Sequence, residues 1–218
     1  MPWQRSLGQV FLPGLSLRPA AVLALALCGL LAAAQASLAL GPPASSPKTA
    51  NPRVSMVIEH RGTIILELFP KAAPKTVDHF LSLVRRHFYD GVLFHRVIPG
   101  FMAQTGDPAS KKVDGAKIAD IPWQEAGEKY HLGEGGSGQT VPLEATLPHD
   151  RGTLGLARAS DPNSGDSQFF LNFVPNHRLD NQYTVFGKIV KGLDVLDKIH
   201  QGDRIKTMRV LPSGSSHH

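Results

Sequence analysis

The chain is poor in thiols, since Cys28 is the single cysteine among its 218 residues. One cysteine cannot form an internal disulfide, and a zinc site built on several thiolates is excluded for the same reason. The chain has 10 histidines, and within the predicted domain they show no paired spacing typical of metal ligands. We therefore expect no metal, no cofactor and no control of the fold through thiol oxidation.

Concentrated charge is also missing from this sequence. Charged residues make up 19% of the chain, and the formal net charge of +5 is spread along it without a dense run of lysine or arginine. This distribution predicts solubility and argues against nucleic-acid binding. A hydrophobic content of 42% favours a globular core over intrinsic disorder.

Acidic residues are absent before Ser37, where the sequence has the features of a secretory leader. Arg5 and Arg18 give a basic start, residues 20–34 are uncharged and apolar, and an A-x-A cleavage site follows at residues 34–36. The apolar run is shorter than the roughly 20 residues that span a membrane. We predict a signal peptide over residues 1–36, with an uncleaved anchor as the alternative. The protein is then exported, with the periplasm favoured and secretion or an organelle lumen as alternatives.

The remaining chain divides into a linker, one domain and a tail. Residues 37–53 are rich in proline, serine and alanine, which is typical of a flexible linker. The domain is predicted over residues 54–210, with residues 211–218 as a tail. Within it, the glycine pattern of residues 133–138 formally matches a dinucleotide-binding motif. However, the following QTVP cannot open the helix that this motif requires.

Short β-rich segments dominate the domain. Residues 54–60 and 63–69 predict a hairpin with a two-residue turn at Arg61-Gly62, and residues 152–158, 168–173, 184–190 and 204–210 predict further strands. Apolar residues at helical spacing after Pro74 predict one helix, and residues 192–201 predict a second, short one. Many short strands with two helices favour an antiparallel sheet closed into a barrel.

The stretch FHRVIPGFMAQTGDP, residues 94–108, predicts two short strands around a turn at Pro99-Gly100. Alternation along a strand would place Arg96 on one face with Phe94 and Ile98, and Met102 with Gln104. The residues alone leave two interpretations open. The hairpin is either part of the core, with one arginine reaching out to solvent, or a functional surface that combines a cation, an amide and apolar groups.

Three blocks in the chain, in the same order, resemble the cyclophilins, the cyclosporin-binding family of peptidyl-prolyl cis-trans isomerases. The first is residues 94–107, the second combines GTLGLARA at 152–159 with SQFFLN at 167–172, and the third is LDNQYTVFGKIV at 179–190. The similarity extends over about residues 54–210. Together with the leader, it predicts an exported, bacterial-like member of this family.

The resemblance implies a mainly β fold, a closed antiparallel eight-stranded β-barrel capped by two α-helices, with a substrate groove on its outer surface. It implies isomerisation of X–Pro bonds in proline-containing polypeptides by a monomer, with Arg96 and Gln104 as catalytic residues. The implied substrate-binding residues are Phe101, Met102, Ala157, Arg158, Gln168, Phe170, Leu179 and Tyr183. A non-catalytic chaperone or scaffold that holds proline peptides is the alternative, since the apolar socket alone would serve that purpose.

The sequence departs from the family at several groove positions. Arg178 stands where the family often has tryptophan, Tyr183 where it often has histidine, and Arg158 where it often has asparagine. Because tryptophan would offer cyclosporin an apolar face and an indole N–H, we expect weak cyclosporin binding. The segment of residues 109–132 is longer than the corresponding segment of compact family members, and we interpret it as a lineage-specific insertion.

Overall fold

A computed structural model describes residues 50–212 of the protein. The predicted signal peptide, most of the predicted linker and residues 213–218 lie outside this part of the chain. No helix within residues 50–212 has the length and apolar character needed to cross a membrane.

Within residues 50–212, eight strands form one antiparallel sheet around a buried core. They are β1 (Arg53–Ile58), β2 (Gly62–Leu68), β3 (Arg96–Ile98), β4 (Met102–Thr105), β5 (Thr153–Leu156), β6 (Phe169–Asn172), β7 (Val185–Lys191) and β8 (Ile205–Val210). Their order across the sheet is β3-β4-β6-β5-β7-β2-β1-β8. The predicted eight-stranded, mainly β fold is confirmed.

The two edge strands of this sheet come together just before each of them begins. Leu93 and Arg204 form an isolated antiparallel bridge. Backbone hydrogen bonds flank it, from Phe94 N to Asp203 O at 2.8 Å and from Ile205 N to Val92 O at 2.8 Å. The sheet therefore curls into a barrel that is joined at one end of β3 and β8, without a full strand ladder along this seam.

The first hairpin differs in its turn from the sequence-based expectation. Ile58 pairs directly with Gly62, so Glu59, His60 and Arg61 form a three-residue connection in place of the predicted two-residue turn. His60 adopts the left-handed conformation that closes it, with φ of 58°. Inward side chains still alternate along both strands, which places Val54, Met56 and their equivalents in the core.

Helix α1 (Pro74–Arg85) begins at a proline and is capped from elsewhere in the chain. Ala73 offers no side-chain cap, and instead the Glu144 carboxylate accepts hydrogen bonds from Lys75 N at 3.1 Å and Thr76 N at 2.9 Å. A carboxylate at a helix N-terminus satisfies free amides and opposes the positive end of the helix dipole. Phe80 on the buried face of α1 meets Phe169 edge to face, with ring centroids 5.4 Å apart.

The predicted second helix is only one turn long. It spans Leu193–Leu196 and is the third α-helix of the described residues, α3. Lys198 N and Ile199 N bond to carbonyls three residues back, at Val195 and Leu196, so the chain continues as tight turns and not as an α-helix. Ile199 is nevertheless buried, as its spacing predicted.

The predicted insertion has structure of its own. It contains 3₁₀ turns at Pro108–Lys112 and Gly115–Lys117, followed by helix α2 (Trp123–Tyr130). Leu93, Ile118, Ala126 and Leu132 form a second, small apolar cluster that packs this segment against the barrel next to β3.

Candidate active site

The hairpin of β3 and β4 sets Arg96 directly opposite Gln104. Arg96 Nη1 donates to Gln104 Oε1 at 3.2 Å, and Gln104 Nε2 donates to Gln168 Oε1 at 2.9 Å. Gln168 Nε2 in turn donates to the carbonyl of Gly135 at 2.8 Å. A continuous chain of polar side chains therefore connects the guanidinium to the glycine-rich loop of residues 133–138. Each amide in this chain is oriented by its neighbour.

The alternation expected before β3 does not hold. Phe94 is fully buried in the main core, whereas Arg96 is half-buried on the outer side of the barrel. The expectation that they share a face was wrong because β3 begins only at Arg96, and the preceding residues follow the seam between the barrel edges.

The Arg96 guanidinium lies in a partly dehydrated setting. Its central carbon is 4.2 Å from the centre of the Trp123 ring, and its Nε is buried with no hydrogen-bond partner in residues 50–212. Burial lowers the pKa of Arg96 below its ordinary value, an effect opposed in part by Tyr183. An arginine remains charged under such conditions. The site thus holds a cation that is partly shielded from water.

Outward residues of neighbouring strands form an apolar floor beside this chain. Gln104 pairs with Phe170 across β4 and β6, and Met102 pairs with Asn172. Met102 is 2% exposed and Phe170 is 5% exposed, so both side chains are almost completely buried. Phe170 also pairs with Gly155 of β5, where any Cβ atom would overlap the Phe170 ring. Glycine at this position lets the ring lie flat on the sheet.

A column of rings extends from this floor. His149 stacks on Phe170 with ring centroids 5.7 Å apart, and Tyr183 meets Phe170 edge to face at 5.9 Å. His149 is fully buried, and its Nε2 lies 3.2 Å from the carbonyl of Tyr183 while Asn172 Nδ2 lies 3.2 Å from its Nδ1. A carbonyl only accepts, so Nε2 carries the proton and Nδ1 accepts from the Asn172 amide. Burial lowers the pKa of His149, which keeps this imidazole neutral.

The remaining predicted groove residues lie around the same floor. Phe101 is in the turn after β3, half-buried, and its carbonyl accepts from Asn176 Nδ2 at 3.1 Å. Leu179 ends a 3₁₀ turn and bonds to Asn176 O at 2.9 Å, so one asparagine ties both residues together. Arg178 lies over the Phe101 ring, 4.7 Å from its centre.

Ala157 and Arg158 follow β5 at the other side of the groove. Ala157 N donates to Gln168 O at 2.9 Å, which keeps the two segments side by side. The Arg158 guanidinium joins its own loop to the loop before β7, with Nη1 2.8 Å from Ala159 O and Nε 3.1 Å from Gln182 O, and it lies over the Tyr183 ring. Its side chain thus fixes the loop. Ala157 and Arg158 also line a cavity of about 600 Å³ between this loop and the glycine-rich loop, together with Gln104 and Gln168.

Two groups around the site were not found from the sequence. Trp123 belongs to the insertion, for which no element could be assigned, and His149 lies in a loop without a recognisable pattern. For His149, the signal that could have found it is its place next to the GTLGLARA block. For Trp123, the sequence carries no local signal, because its contact with Arg96 joins two distant segments.

Comparison with known proteins agrees with this geometry. The family model described as cyclophilin type peptidyl-prolyl cis-trans isomerase/CLD matches residues 53–213. A probable peptidyl-prolyl cis-trans isomerase of Brucella suis is 42% identical over 176 residues, which cover 79% of this chain and 84% of the relative. A peptidyl-prolyl cis-trans isomerase of Helicobacter pylori is 42% identical over 154 residues, covering 68% and 81%.

Solved structures show the same fold. A cyclophilin type peptidyl-prolyl cis-trans isomerase of Cryptosporidium parvum superposes with a TM-score of 0.60 at 27% identity, covering 74% of this chain and 98% of that one. The same type of protein, crystallised in the presence of the dipeptide Ala-Pro, gives a TM-score of 0.59 at 28% identity, covering 73% and 99%.

Proposed function

The chain belongs to the cyclophilin-type peptidyl-prolyl cis-trans isomerases and is an isomerase of X–Pro peptide bonds, and we propose that Arg96 carries its catalysis while the apolar floor carries binding. The observation that supports this assignment is the chain Arg96–Gln104–Gln168, which fixes a partly dehydrated cation beside Met102 and Phe170.

The reaction requires a group that prefers the twisted amide to both planar forms. The barrier to rotation is about 18–20 kcal/mol because the nitrogen lone pair is delocalised into the carbonyl. At the top of the barrier the lone pair is localised on a pyramidal prolyl nitrogen, which then accepts a hydrogen bond. A donor that can bond to that nitrogen only when the amide is twisted therefore stabilises the transition state selectively.

Arg96 has the properties of such a donor. Its guanidinium is permanently charged, and one of its five N–H groups is bonded to Gln104. Gln104 in turn is held by Gln168, so the guanidinium is oriented before substrate binds. A charge-assisted hydrogen bond in a dry setting is stronger than one in water. We assign Gln104 a second task, a hydrogen bond to the substrate backbone.

The proline ring occupies the floor around Phe170. Met102 and Phe170 are buried side chains with one face to the outside, flanked by the half-buried Phe101 and Leu179. A proline ring that packs on them removes chiefly its own apolar surface from water, which favours binding. Because this site recognises a proline ring and a peptide backbone, we propose a broad range of proline-containing polypeptides as substrates. We also propose that the enzyme is a monomer. The Ala-Pro dipeptide named for the Cryptosporidium protein supports this substrate class.

The test is a proline-isomerisation assay on a short peptide with one Ala-Pro bond. We expect Arg96→Ala to lower kcat/KM by about one to two orders of magnitude, or about 1.4–2.7 kcal/mol, with a smaller effect on peptide binding. Arg96→Lys should fail to restore activity because an ammonium lacks the planar arrangement of donors. Arg85→Ala, at an exposed arginine of α1, is the control. Equal kcat/KM in Arg96→Ala and the parent protein would refute the assignment.

We also propose that residues 1–36 direct export, with the periplasm as the favoured destination. The support is the basic start, the apolar run and the A-x-A site, all of them before residue 37. N-terminal sequencing of the protein recovered from cells should find Ser37 as the first residue. Recovery of a chain that still begins at Met1 would favour the anchor.

A further inference from the structure

We propose that Trp123 is a positioning residue for Arg96, so that the insertion between the first and second family blocks is part of the catalytic apparatus. This inference rests on the proposed role of Arg96. Trp123 is the first residue of α2, and its ring centre is 4.2 Å from the guanidinium carbon of Arg96. A guanidinium at this distance from an indole is attracted to the electron-rich face of the ring.

Packing of the insertion does not account for the position of this tryptophan. The small apolar cluster of the insertion contains Leu93, Ile118, Ala126 and Leu132, with Ala109, Val113, Ile121 and Tyr130 around it. Trp123 belongs to neither apolar cluster of residues 50–212, although it is half-buried. Since Trp123 is half-buried without being part of either apolar cluster, other groups must cover its ring. The Arg96 guanidinium, which lies over the ring, is such a group.

Helix α2 is held firmly enough to fix the ring. Gln201 Nε2 donates to the carbonyls of Ile118 at 2.7 Å and Ile121 at 2.8 Å, just before the helix begins. Arg204 Nη2 donates to Val113 O at 2.9 Å. Both anchors come from the chain around the start of β8, which is joined to the segment before β3 at the seam. The insertion and the Arg96 strand are thus fastened to the same region of the barrel.

The stack restricts Arg96 in two ways. Trp123 covers one face of the guanidinium while Gln104 bonds to its edge, so rotation of the plane is opposed by two different contacts. The ring also covers that face, and the Nε group is buried without a hydrogen-bond partner in residues 50–212. A donor that is oriented and partly dehydrated before the reaction spends less free energy on reorganisation when the amide twists. Trp123 should therefore affect turnover more than substrate binding.

The experiment compares Trp123→Ala and Trp123→Phe in the full chain. We expect Trp123→Ala to lower kcat about tenfold on the Ala-Pro peptide with KM changed less than about twofold, and Trp123→Phe to retain most of the activity because a ring remains. Gln124→Ala, the exposed neighbour on the same helix, is the matched control. Thermal unfolding of each variant verifies that the fold is intact.

A double-mutant cycle identifies the route of the effect. In an Arg96→Ala background, Trp123→Ala should cost nothing further, because the ring acts through the guanidinium. Equal additional loss in that background would overturn the proposal, as would wild-type kcat in Trp123→Ala alone. Failure of the proposed function is a different result, in which Arg96→Ala itself retains full activity.

Fluorescence provides a readout that a purely structural role would not change. Trp3 and Trp123 are the two tryptophans of the chain, so Trp3→Phe leaves Trp123 as the single emitter. In that background, Arg96→Ala should shift the emission of Trp123, and Arg85→Ala should leave it unchanged. Identical spectra for all three proteins would show that the stack does not exist in solution.

Discussion

At the scale of single residues, the groove is built from side chains that hold one another in place. Arg96 is bonded to Gln104, Gln104 to Gln168, and Phe170 lies flat on Gly155. The arginines on the opposite side are also engaged, with Arg158 over Tyr183 and Arg178 over Phe101. These arginines differ in their exposure to water, since Arg178 is exposed while Arg96 is partly dehydrated.

Arg178 leads to a prediction about cyclosporin. An exposed guanidinium loses hydration when an apolar ligand covers it, whereas an indole would present an apolar face and one N–H donor. We expect Arg178→Trp to tighten cyclosporin inhibition by about one to two orders of magnitude, with kcat/KM on the Ala-Pro peptide changed less than about twofold. The measurement is a titration of the drug against both proteins. Arg178→Ala separates loss of the cation from gain of the ring, and nanomolar inhibition of the unmodified protein would contradict the argument.

The groove residues were accessible from the sequence for a specific reason. Arg96, Met102, Gln104, Gln168 and Phe170 lie in the short contiguous blocks that carry the family resemblance, and alternation within β4 and β6 places Met102, Gln104 and Phe170 on the same outer face. Features that depend on contacts between distant segments of the chain could not be predicted from the sequence. Phe94 was misplaced because the seam to β8 ends the alternation before Arg96, and Trp123 was missed because its partner lies in another element.

At the scale of elements, the insertion is closed at its base by one buried carboxylate. Asp107 is fully buried, and it accepts hydrogen bonds from Ala109 N at 2.8 Å, Gly133 N at 2.6 Å and Gly135 N at 3.4 Å. These bonds join the start of the insertion to its end. They also fix the loop whose Gly135 carbonyl holds Gln168. The chain of contacts that orients Arg96 therefore begins at Asp107.

Replacement of Asp107 should destabilise the protein and loosen this loop. Asp107→Asn keeps the shape but turns an amide N–H₂ toward backbone donors, so we expect a loss of roughly 2–3 kcal/mol in the free energy of unfolding. Urea unfolding measures it, and hydrogen exchange should show earlier exchange at Gly133 and Gly135. Asp114→Asn is the matched control, because Asp114 also precedes a 3₁₀ turn but its carboxylate accepts a single backbone hydrogen bond within residues 50–212, from the exposed Ala116 N at 3.1 Å. Equal losses for the two variants would contradict a special role for Asp107.

The helices were predicted with unequal success, for reasons that are physical. The apolar spacing after Pro74 predicted α1 because one face of that helix packs along its whole length in the core. The spacing of residues 192–201 was equally regular, yet only Leu193–Leu196 are helical, since tight turns bury the same side chains. No apolar periodicity predicted α2, because Ala126 is the one buried residue among the eight residues of this helix.

At the scale of the whole molecule, three histidines are buried within residues 50–212, and burial lowers the pKa of two of them, His95 and His149. His95 is 4% exposed, and both of its ring nitrogens lack a hydrogen-bond partner within the described part of the chain. Burial lowers the pKa of His95 from 6.5 to about 4, against an opposing effect of the nearby Asp107 carboxylate. Burial lowers the pKa of His149 as well. Both imidazoles therefore stay uncharged at pH values where an unfolded chain would protonate them.

This difference predicts how stability depends on pH. Below pH 6.5 the unfolded chain binds protons at these histidines and the folded chain does not. Their contribution to the free energy of unfolding is therefore complete above pH 6.5 and is lost as the pH falls toward about 4. The difference in the pKa of His95 alone corresponds to roughly 3 kcal/mol. Burial alone would raise the pKa of Asp90, but the hydrogen bond from Arg209 and further favourable contacts outweigh it and the pKa is lowered. The stability that Asp90 contributes is therefore present above the ordinary pKa of an aspartate and is lost only at lower pH.

Replacement of His95 by leucine tests this origin of the pH dependence. His95→Leu should remove most of the decrease in stability between pH 6.5 and 4. The stability of the variant at pH 7 should differ little from that of the parent protein, because neither ring nitrogen of His95 makes a hydrogen bond within residues 50–212 that the substitution would remove. Urea unfolding at half-unit steps of pH gives the slope for each protein, and His200→Ala, at an exposed histidine, is the control. If the slope of His95→Leu equals that of the parent protein, the acid sensitivity arises elsewhere, and His149→Leu is the next variant to compare. Because His95 adjoins Arg96 in the chain, full isomerase activity in His95→Leu would also show that the imidazole takes no part in the reaction.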